Sequence, residues 1–285
     1  MKSSLVVTSW WSNCLGLRCL HNLVAYAPTR DIFVMQAGKS PQQMQYFRDY
    51  MPEEVTELHY PDHLAADDSP MREYLALTLM RDEKGVWFID HDTFFYEDCR
   101  AWLEQADNYF AQSGCCFCIG LPRNGGGVTQ PAYWLSPARW PTGLSSFDPI
   151  PFREKALSRR PDLHLNNGDL IMPQKDTLVQ VRDELDVYGL VGSFPLTMEE
   201  AAQHPLSVFP KHGHIGGIYL YTGPVLDARF DDWMHYTVTE FERFFATCPP
   251  EWLAIEEPEL LRRHNMFKSA LGIAGEMKSD VNFTI

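Results

Sequence analysis

Two kinds of segment alternate along the first part of the chain, and they differ in how their apolar and polar residues are arranged. Short runs rich in β-branched and aromatic residues predict strands at residues 5–11, 31–37, 55–60 and 86–95. Segments whose apolar residues recur at helical spacing, or that open on a capping residue and a proline, predict helices at 13–27, 41–51 and 70–81. Strand and helix in alternation predict a parallel sheet joined by right-handed crossovers.

The second part of the chain has a less regular pattern. Several prolines between residues 131 and 151 exclude a continuous helix there and mark a transition. We therefore predict a first half at 1–125 and a second half at 126–285 within one continuous domain. The other predicted elements are helices at 99–113, 176–187, 233–247 and 259–268, and strands at 115–121, 133–135 and 218–221.

Composition narrows the class of protein. The chain has 285 residues, 45% of them hydrophobic, and a formal net charge of −14. That charge disfavours binding to nucleic acid, and an anionic ligand would need a cation to offset it. The sequence contains no apolar run long enough to span a membrane, and its N-terminal apolar run is too short for a signal peptide. Seven cysteines, an odd number, favour a reducing compartment. We expect a cytoplasmic protein without a transmembrane segment.

The main candidate for chemistry lies where the apolar run at 86–89 ends in Asp90 and Asp92. Side chains two apart on a strand share a face, so both carboxylates would project together. Two hard oxygen ligands suit Mg²⁺ or Mn²⁺, and open α/β sheets bind ligands beyond the carboxyl ends of their strands. The alternative is that both residues only form the turn by which the strand ends.

This segment resembles the Asp-x-Asp motif of glycosyltransferases with the GT-A fold. The resemblance implies a mixed, mainly parallel sheet flanked by helices, and a nucleotide-diphosphate sugar as donor. It also implies Mn²⁺ or Mg²⁺ held by Asp90 and Asp92. Thr8 and Ser9, at the end of the first strand, would then contact the nucleotide. Arg72 would contact the diphosphate or the base, unless it is an ordinary surface arginine.

A second segment, Asn166-Asn167-Gly168-Asp169, lies between two apolar runs and predicts a strand, a tight turn or bulge, and a second strand. It is similar to the Asn-x-Gly segment of glycogenin-like transferases, which implies that Asn166 and Gly168 line the sugar site. Asp169 is our candidate catalytic base, because a carboxylate commonly accepts the acceptor proton in an inverting transfer. An ordinary hairpin turn is the alternative.

A third segment contains His212 and His214 among glycines. It resembles the His-Gly segment that completes the metal site in many GT-A enzymes, although here Lys211 precedes the histidines. Histidines two apart on a strand share a face, and their imidazoles also suit a transition metal. The resemblance implies that one of the two is the third metal ligand and leaves open which one.

Several other interpretations compete with this one. Gly38-Lys39-Ser40 lacks the upstream glycine of a P-loop, so Ser40 is better interpreted as a helix cap. Cys115, Cys116 and Cys118 lack a second ligand pair for zinc and fit a buried strand. A non-haem iron enzyme using His91, Asp92 and His212 or His214 is the rival enzyme class, and a GT-A-like binding protein without catalysis is the third candidate. The acceptor, whether glycan, small molecule or protein, is not indicated.

Overall fold

The fold is described from a computed structural model of the whole chain. The structure describes residues 2–10, 12–37, 39–59, 80, 82–121, 132–140, 165–166, 169–170, 191–192, 212–215, 231–253 and 257–272. These residues form two compact units, 1–214 and 215–285, each treated by itself. The division predicted at residue 125 stays a prediction.

The described strands and helices follow the predicted alternation. The strands are β1 (Ser4–Trp10), β2 (Ile32–Ala37), β3 (Val55–Glu57), β4 (Val86–Asp90), β5 (Thr93–Phe95), β6 (Phe117–Leu121), β7 (Ala132–Leu135), β8 (Leu165–Asn166), β9 (Asp169–Leu170), β10 (Val191–Gly192) and β11 (His212–His214). The helices are α1 (Asn13–Tyr26), α2 (Pro41–Tyr50), α3 (Arg100–Ser113), α4 (Asp231–Thr247), α5 (Pro250–Leu253) and α6 (Glu257–Ala270), with a short 3₁₀ helix at Pro137–Arg139.

The main sheet has the strand order β10-β6-β7-β4-β1-β2-β3. Strands β3, β2, β1 and β4 are mutually parallel, and β6 is parallel to β10. Only β7, among the described strands of this sheet, runs antiparallel to its neighbours β4 and β6. The predicted mixed, mainly parallel sheet flanked by helices is therefore confirmed. Parallel strands end at one edge, which brings the ends of β1, β2 and β4 together.

Packing of β4 explains why its sequence is almost wholly apolar. Its first four residues are buried, because the strand is paired on both edges and covered on both faces. Trp87 contacts the rings of Trp102 and Phe110 of α3, with centroids 5.6 and 5.8 Å apart. On the other face Phe88 stacks on Tyr133 of β7 at 5.3 Å. Asp90 is the first residue of β4 that is not fully buried.

Local capping sets where the first helices begin. The Ser12 hydroxyl accepts a hydrogen bond from the Leu15 backbone at the start of α1. Ser40 and Gln43 form a reciprocal capping box at the start of α2, with Pro41 as its first residue. The interpretation of Ser40 as a helix cap rather than part of a P-loop is confirmed.

The structure also corrects some predicted elements. The strand predicted at 86–95 is two strands, β4 and β5, separated by a turn at 91–92. The strand predicted at 55–60 ends at Glu57, and β6 begins at Phe117 rather than at residue 115. The elements predicted at 70–81, 176–187 and 218–221 lie outside the described residues, apart from residue 80.

The second unit, 215–285, contains α4, α5 and α6. Helix α4 packs against α6 through an aromatic contact, in which the rings of Phe241 and His264 lie 5.5 Å apart. His264 is fully buried, its Nε2 lies 3.9 Å from a carboxylate oxygen of Glu242, and Lys268 is a second charged residue that acts on it. This unit carries none of the predicted site residues.

Candidate functional site

Asp90 and Thr8 are register partners at the ends of two neighbouring parallel strands. Side chains at matched positions of paired strands project to the same face of a sheet, so the carboxylate and the hydroxyl are neighbours. Thr8 is 1% exposed, and Asp90 is half-buried. The two residues therefore lie at the same end of neighbouring strands, and their predicted contacts with a nucleotide and a metal stay predictions.

Asp92 reaches this edge in a different way from the one predicted. It lies in the turn between β4 and β5 and not on a strand, so the rule that alternate strand residues share a face does not apply to it. The turn is itself buried, with His91 6% and Asp92 3% exposed. The prediction that both carboxylates lie on one strand was wrong, because the chain turns immediately after Asp90.

The two carboxylates nevertheless lie near one common neighbour, Cys19 of α1. Its Sγ is 3.8 Å from the backbone carbonyl oxygen of Asp90. Burial, together with the negative charges of Asp92 and Asp90, raises the pKa of the Cys19 thiol well above its ordinary range. A protonated thiol here adds no further negative charge beside the two carboxylates.

Strand β11 brings the predicted histidines to the same turn. It pairs antiparallel with β5, so that His214 lies opposite Thr93 and His212 opposite Phe95. Cα atoms of opposed residues in such a pair are about 4.5–5.5 Å apart, and Thr93 directly follows Asp92. The described backbone thus joins the segment containing His212 and His214 to the Asp90 and Asp92 segment.

Among the side chains that the structure describes, no three His, Cys, Asp or Glu residues form a ready group of metal ligands. The imidazoles of His212 and His214 are not among those side chains. Their role, and that of Asp90 and Asp92, as metal ligands stays a prediction.

Ser9 makes its contacts inside the protein. It is fully buried, its hydroxyl accepts a hydrogen bond from Lys39 Nζ at 2.8 Å, and it donates a longer one to the carbonyl oxygen of Ser12. A side chain on Gly16 of α1 would meet the Ser9 hydroxyl at 2.2 Å, so the helix packs directly on it. Ser9 is one residue from Thr8 on β1 and therefore projects to the opposite face from Thr8 and Asp90.

Lys39 is a cation at this end of the sheet that the sequence analysis missed as a site residue. It follows β2, its ammonium lies 4.0 Å from the centre of the Phe47 ring, and it hydrogen-bonds to Ser9. The sequence does contain a signal, because a lysine two residues after a strand and directly before a helix cap lies near the carboxyl edge of a parallel sheet.

The segment containing Asn166 and Asp169 forms a small hairpin. Asn166 of β8 pairs with Asp169 of β9, and Leu165 pairs with Leu170, across a two-residue connection. The two predicted strands are confirmed for the backbone, and residues 167 and 168 between them lie outside the described residues. Gly168 and Arg72 lie outside the described residues, and the catalytic role of Asp169 stays a prediction.

The seven cysteines are all free thiols. Cys116 and Cys118 are buried, and Cys118 belongs to β6, as the buried-strand interpretation of this segment predicted. Burial raises the pKa of Cys116 to about 12, so this thiol stays protonated. None of the described helices is long and apolar enough to cross a membrane.

No protein-family model matches the chain, and a search of curated proteins gives no match. Solved structures similar to it include three glycosyltransferases. The galactosyltransferase LgtC, solved with donor and acceptor sugar analogues, is 13% identical, with a TM-score of 0.45 over 88% of this chain and 99% of its own. Mouse xyloside xylosyltransferase 1 in its apo form is 10% identical, with a TM-score of 0.40 over 68% of this chain and 85% of its own.

The third is a mannosyltransferase from Pyrobaculum calidifontis, solved in complex with GDP-Man and Mn²⁺. It is 12% identical, with a TM-score of 0.37 over 97% of this chain and 76% of its own. At this level of identity and TM-score, likeness to a solved structure assigns no substrate, metal or activity to the chain.

Proposed function

We propose that the chain is a metal-dependent glycosyltransferase that moves a sugar from a nucleotide-diphosphate donor to an acceptor of unidentified class. The observation that carries the proposal is the pairing of β5 with β11. It joins a histidine-containing strand to the turn that holds Asp92, beside Asp90 at the end of β4. Two carboxylates suit Mn²⁺ or Mg²⁺, and an imidazole as third ligand favours Mn²⁺ of the two because imidazole is a ligand of transition metals.

The charge of the chain supports a role for a metal. At a net charge of −14, the protein repels a nucleotide diphosphate unless a cation offsets the field locally. Asp90, Asp92 and one of His212 and His214 would hold that cation. When bound, it would neutralise the charge that develops on the leaving diphosphate.

The other proposed roles belong to residues of this chain around that edge. Thr8 shares the face and the register of Asp90 and would contact the nucleotide. For Ser9 we replace the predicted contact with the nucleotide, because its buried hydroxyl is bound by Lys39; Ser9 would instead fix the end of the strand. Asn166 and Gly168 would line the sugar site, Arg72 would contact the donor, and Asp169 would accept the acceptor proton.

The test is metal-dependent stabilisation by the donor. Melting temperature is measured with nucleoside diphosphates and nucleotide sugars, each with Mn²⁺, with Mg²⁺ and with chelator. A ligand at a hundred times its dissociation constant stabilises the folded state by about 2.7 kcal/mol. We expect a metal-dependent rise with at least one diphosphate nucleotide, and release or transfer of the sugar under the same conditions.

Three variants make the test specific. Asp90→Asn and Asp92→Asn keep the size of the side chain and remove its charge, and each should abolish the metal-dependent rise. Asp98→Asn is the matched control, because Asp98 follows β5 closely but is half-exposed and pairs with Arg100. A rise that persists in both site variants, or no rise in the wild type, would contradict the proposal. Bound iron in the purified protein would favour the rival enzyme class.

A further inference from the structure

Helix α1 binds the backbone of β5 through two side chains one helical turn apart. The Asn22 amide nitrogen donates to the Phe95 carbonyl oxygen at 2.7 Å, and the Phe95 backbone N–H donates to the Asn22 amide oxygen at 2.6 Å. The Thr93 backbone hydrogen-bonds to the sulfur of Cys19. Asn22 is 3% exposed and Cys19 is fully buried. Both side chains therefore act on alternate residues of a three-residue strand.

On one edge of β5, these side-chain hydrogen bonds replace the backbone hydrogen bonds that a neighbouring strand would make. In an antiparallel pair, alternate residues direct their N–H and C=O groups toward the partner, and the residues between them direct theirs away. Both backbone groups of Phe95 bind Asn22, so the hydrogen bonds toward β11 fall to Phe94, which lies opposite Gly213. Helix α1 thus satisfies one edge of β5, and β11 pairs with the other.

A buried asparagine in the middle of a helix needs such a compensation. Asparagine has a low helix propensity, and burial of its amide without hydrogen bonds is costly. In α1 the cost is offset by hydrogen bonds to a strand distant in sequence rather than to the helix itself. A short strand with an unsatisfied edge would lose its backbone hydrogen bonds readily.

We propose that Asn22 is a positioning residue for the proposed metal site: it fixes β5 in the register at which β11 lies with His214 opposite Thr93, the residue that follows Asp92. The part concerning metal rests on the function proposed above. Groups that orient metal ligands from behind typically change metal affinity by about 10–100-fold when they are removed. Asn22 would act less directly, because it contacts the backbone of β5 and not a metal ligand.

Two measurements test the inference, and only one of them involves metal. The first is hydrogen exchange of the segments 93–95 and 212–214 in metal-free protein. The second is Mn²⁺ titration followed by calorimetry, with Mn²⁺ as the only ligand. Asn22→Leu is similar in size and removes both hydrogen bonds, and Asn22→Ser is a second variant in case the first does not fold. Phe47→Leu in α2 is the control, because Phe47 is equally buried but lies toward the Lys39 side of α1.

We expect both Asn22 variants to exchange faster than wild type in the two segments and to bind Mn²⁺ at least about 10-fold more weakly. Phe47→Leu should lower the melting temperature without either change. Unchanged exchange in the two segments, or faster exchange with unaltered Mn²⁺ affinity, would overturn the inference. If wild-type protein binds no Mn²⁺, the proposed function fails, and with it the metal role of Asn22. The exchange data would then still decide whether Asn22 holds β5 to β11.

Discussion

Removal of the Asp107 carboxylate should be among the most destabilising single changes in the first unit. Asp107 of α3 is fully buried and accepts hydrogen bonds from the Ser3 backbone N–H at 3.0 Å and from the Trp87 indole at 2.9 Å. It also forms an ion pair with Arg30, whose side chain is 2% exposed. Through this one carboxylate, α3 is tied to the start of β1, to β4 and to the segment that leads into β2.

The magnitude follows from what the substitution Asp107→Leu would leave behind. An unpaired buried guanidinium costs about 3–5 kcal/mol. The Ser3 N–H and the Trp87 indole also lose their acceptor, at about 1–3 kcal/mol each when considered alone. The three losses share one acceptor and are not additive, so we expect a total of about 4–6 kcal/mol. That is a large part of the 5–15 kcal/mol that is typical for a folded domain.

The assay is urea unfolding followed by circular dichroism, with Asp107→Leu, Arg30→Met and the double variant compared. Without either charge, the double variant should be more stable than Asp107→Leu by about 2–4 kcal/mol, because replacing a buried pair with apolar groups is close to neutral. Asp98→Asn, whose partner Arg100 is exposed, should unfold like wild type. A loss below about 1 kcal/mol in Asp107→Leu, or a double variant no more stable than it, would refute the reasoning.

Three further predictions concern packing, capping and pH. Gly16→Ala should cost about 1–3 kcal/mol in urea unfolding, because the new methyl group would meet the Ser9 hydroxyl at 2.2 Å; an unchanged midpoint would show that α1 can move away. Ser40→Ala should cost about 1 kcal/mol through loss of the capping box, with Ser40→Asp as the variant that restores it. Burial, and next the charge of Lys268, lower the pKa of His264 below 6.5. As the pH falls, the histidine therefore becomes protonated at a higher pH in the unfolded chain than in the folded protein. The free energy of unfolding should decrease as the pH falls below about 6.5. His264→Leu should reduce that fall in a thermal melt measured across this range, and an identical pH profile would contradict the assignment.

The position of Asp90 could be predicted from sequence because its signal is local. A run of buried apolar residues that ends in a carboxylate indicates where a strand leaves the core, and the register with Thr8 agrees. The turn at Asp92 could not be predicted in the same way. The residues after it are again β-favouring, and no glycine or proline marks the break between the two strands.

Local sequence patterns do not indicate the contacts that assemble the rest of the candidate site. The pairing of β5 with β11 joins segments far apart in the chain, and each strand has only three residues. Asn22 interrupts the apolar pattern of α1 without any sign of the strand it binds, and its partner Phe95 is 73 positions away. The residue types of the candidate centre can thus be predicted from the sequence, whereas the helix that supports it cannot.

The pairing of β5 with β11 also has a consequence for the order in which the chain folds. Contacts between segments distant in sequence form late, because a long loop must close before they contribute, and chains are made from the N-terminus. The strands that carry Thr8 and Asp90 can therefore pair while residues 212–214 have not yet been synthesised. On the proposed function, an incomplete chain would hold the carboxylates but not the histidines. Tight binding of metal would then begin only once the polypeptide has been extended through β11.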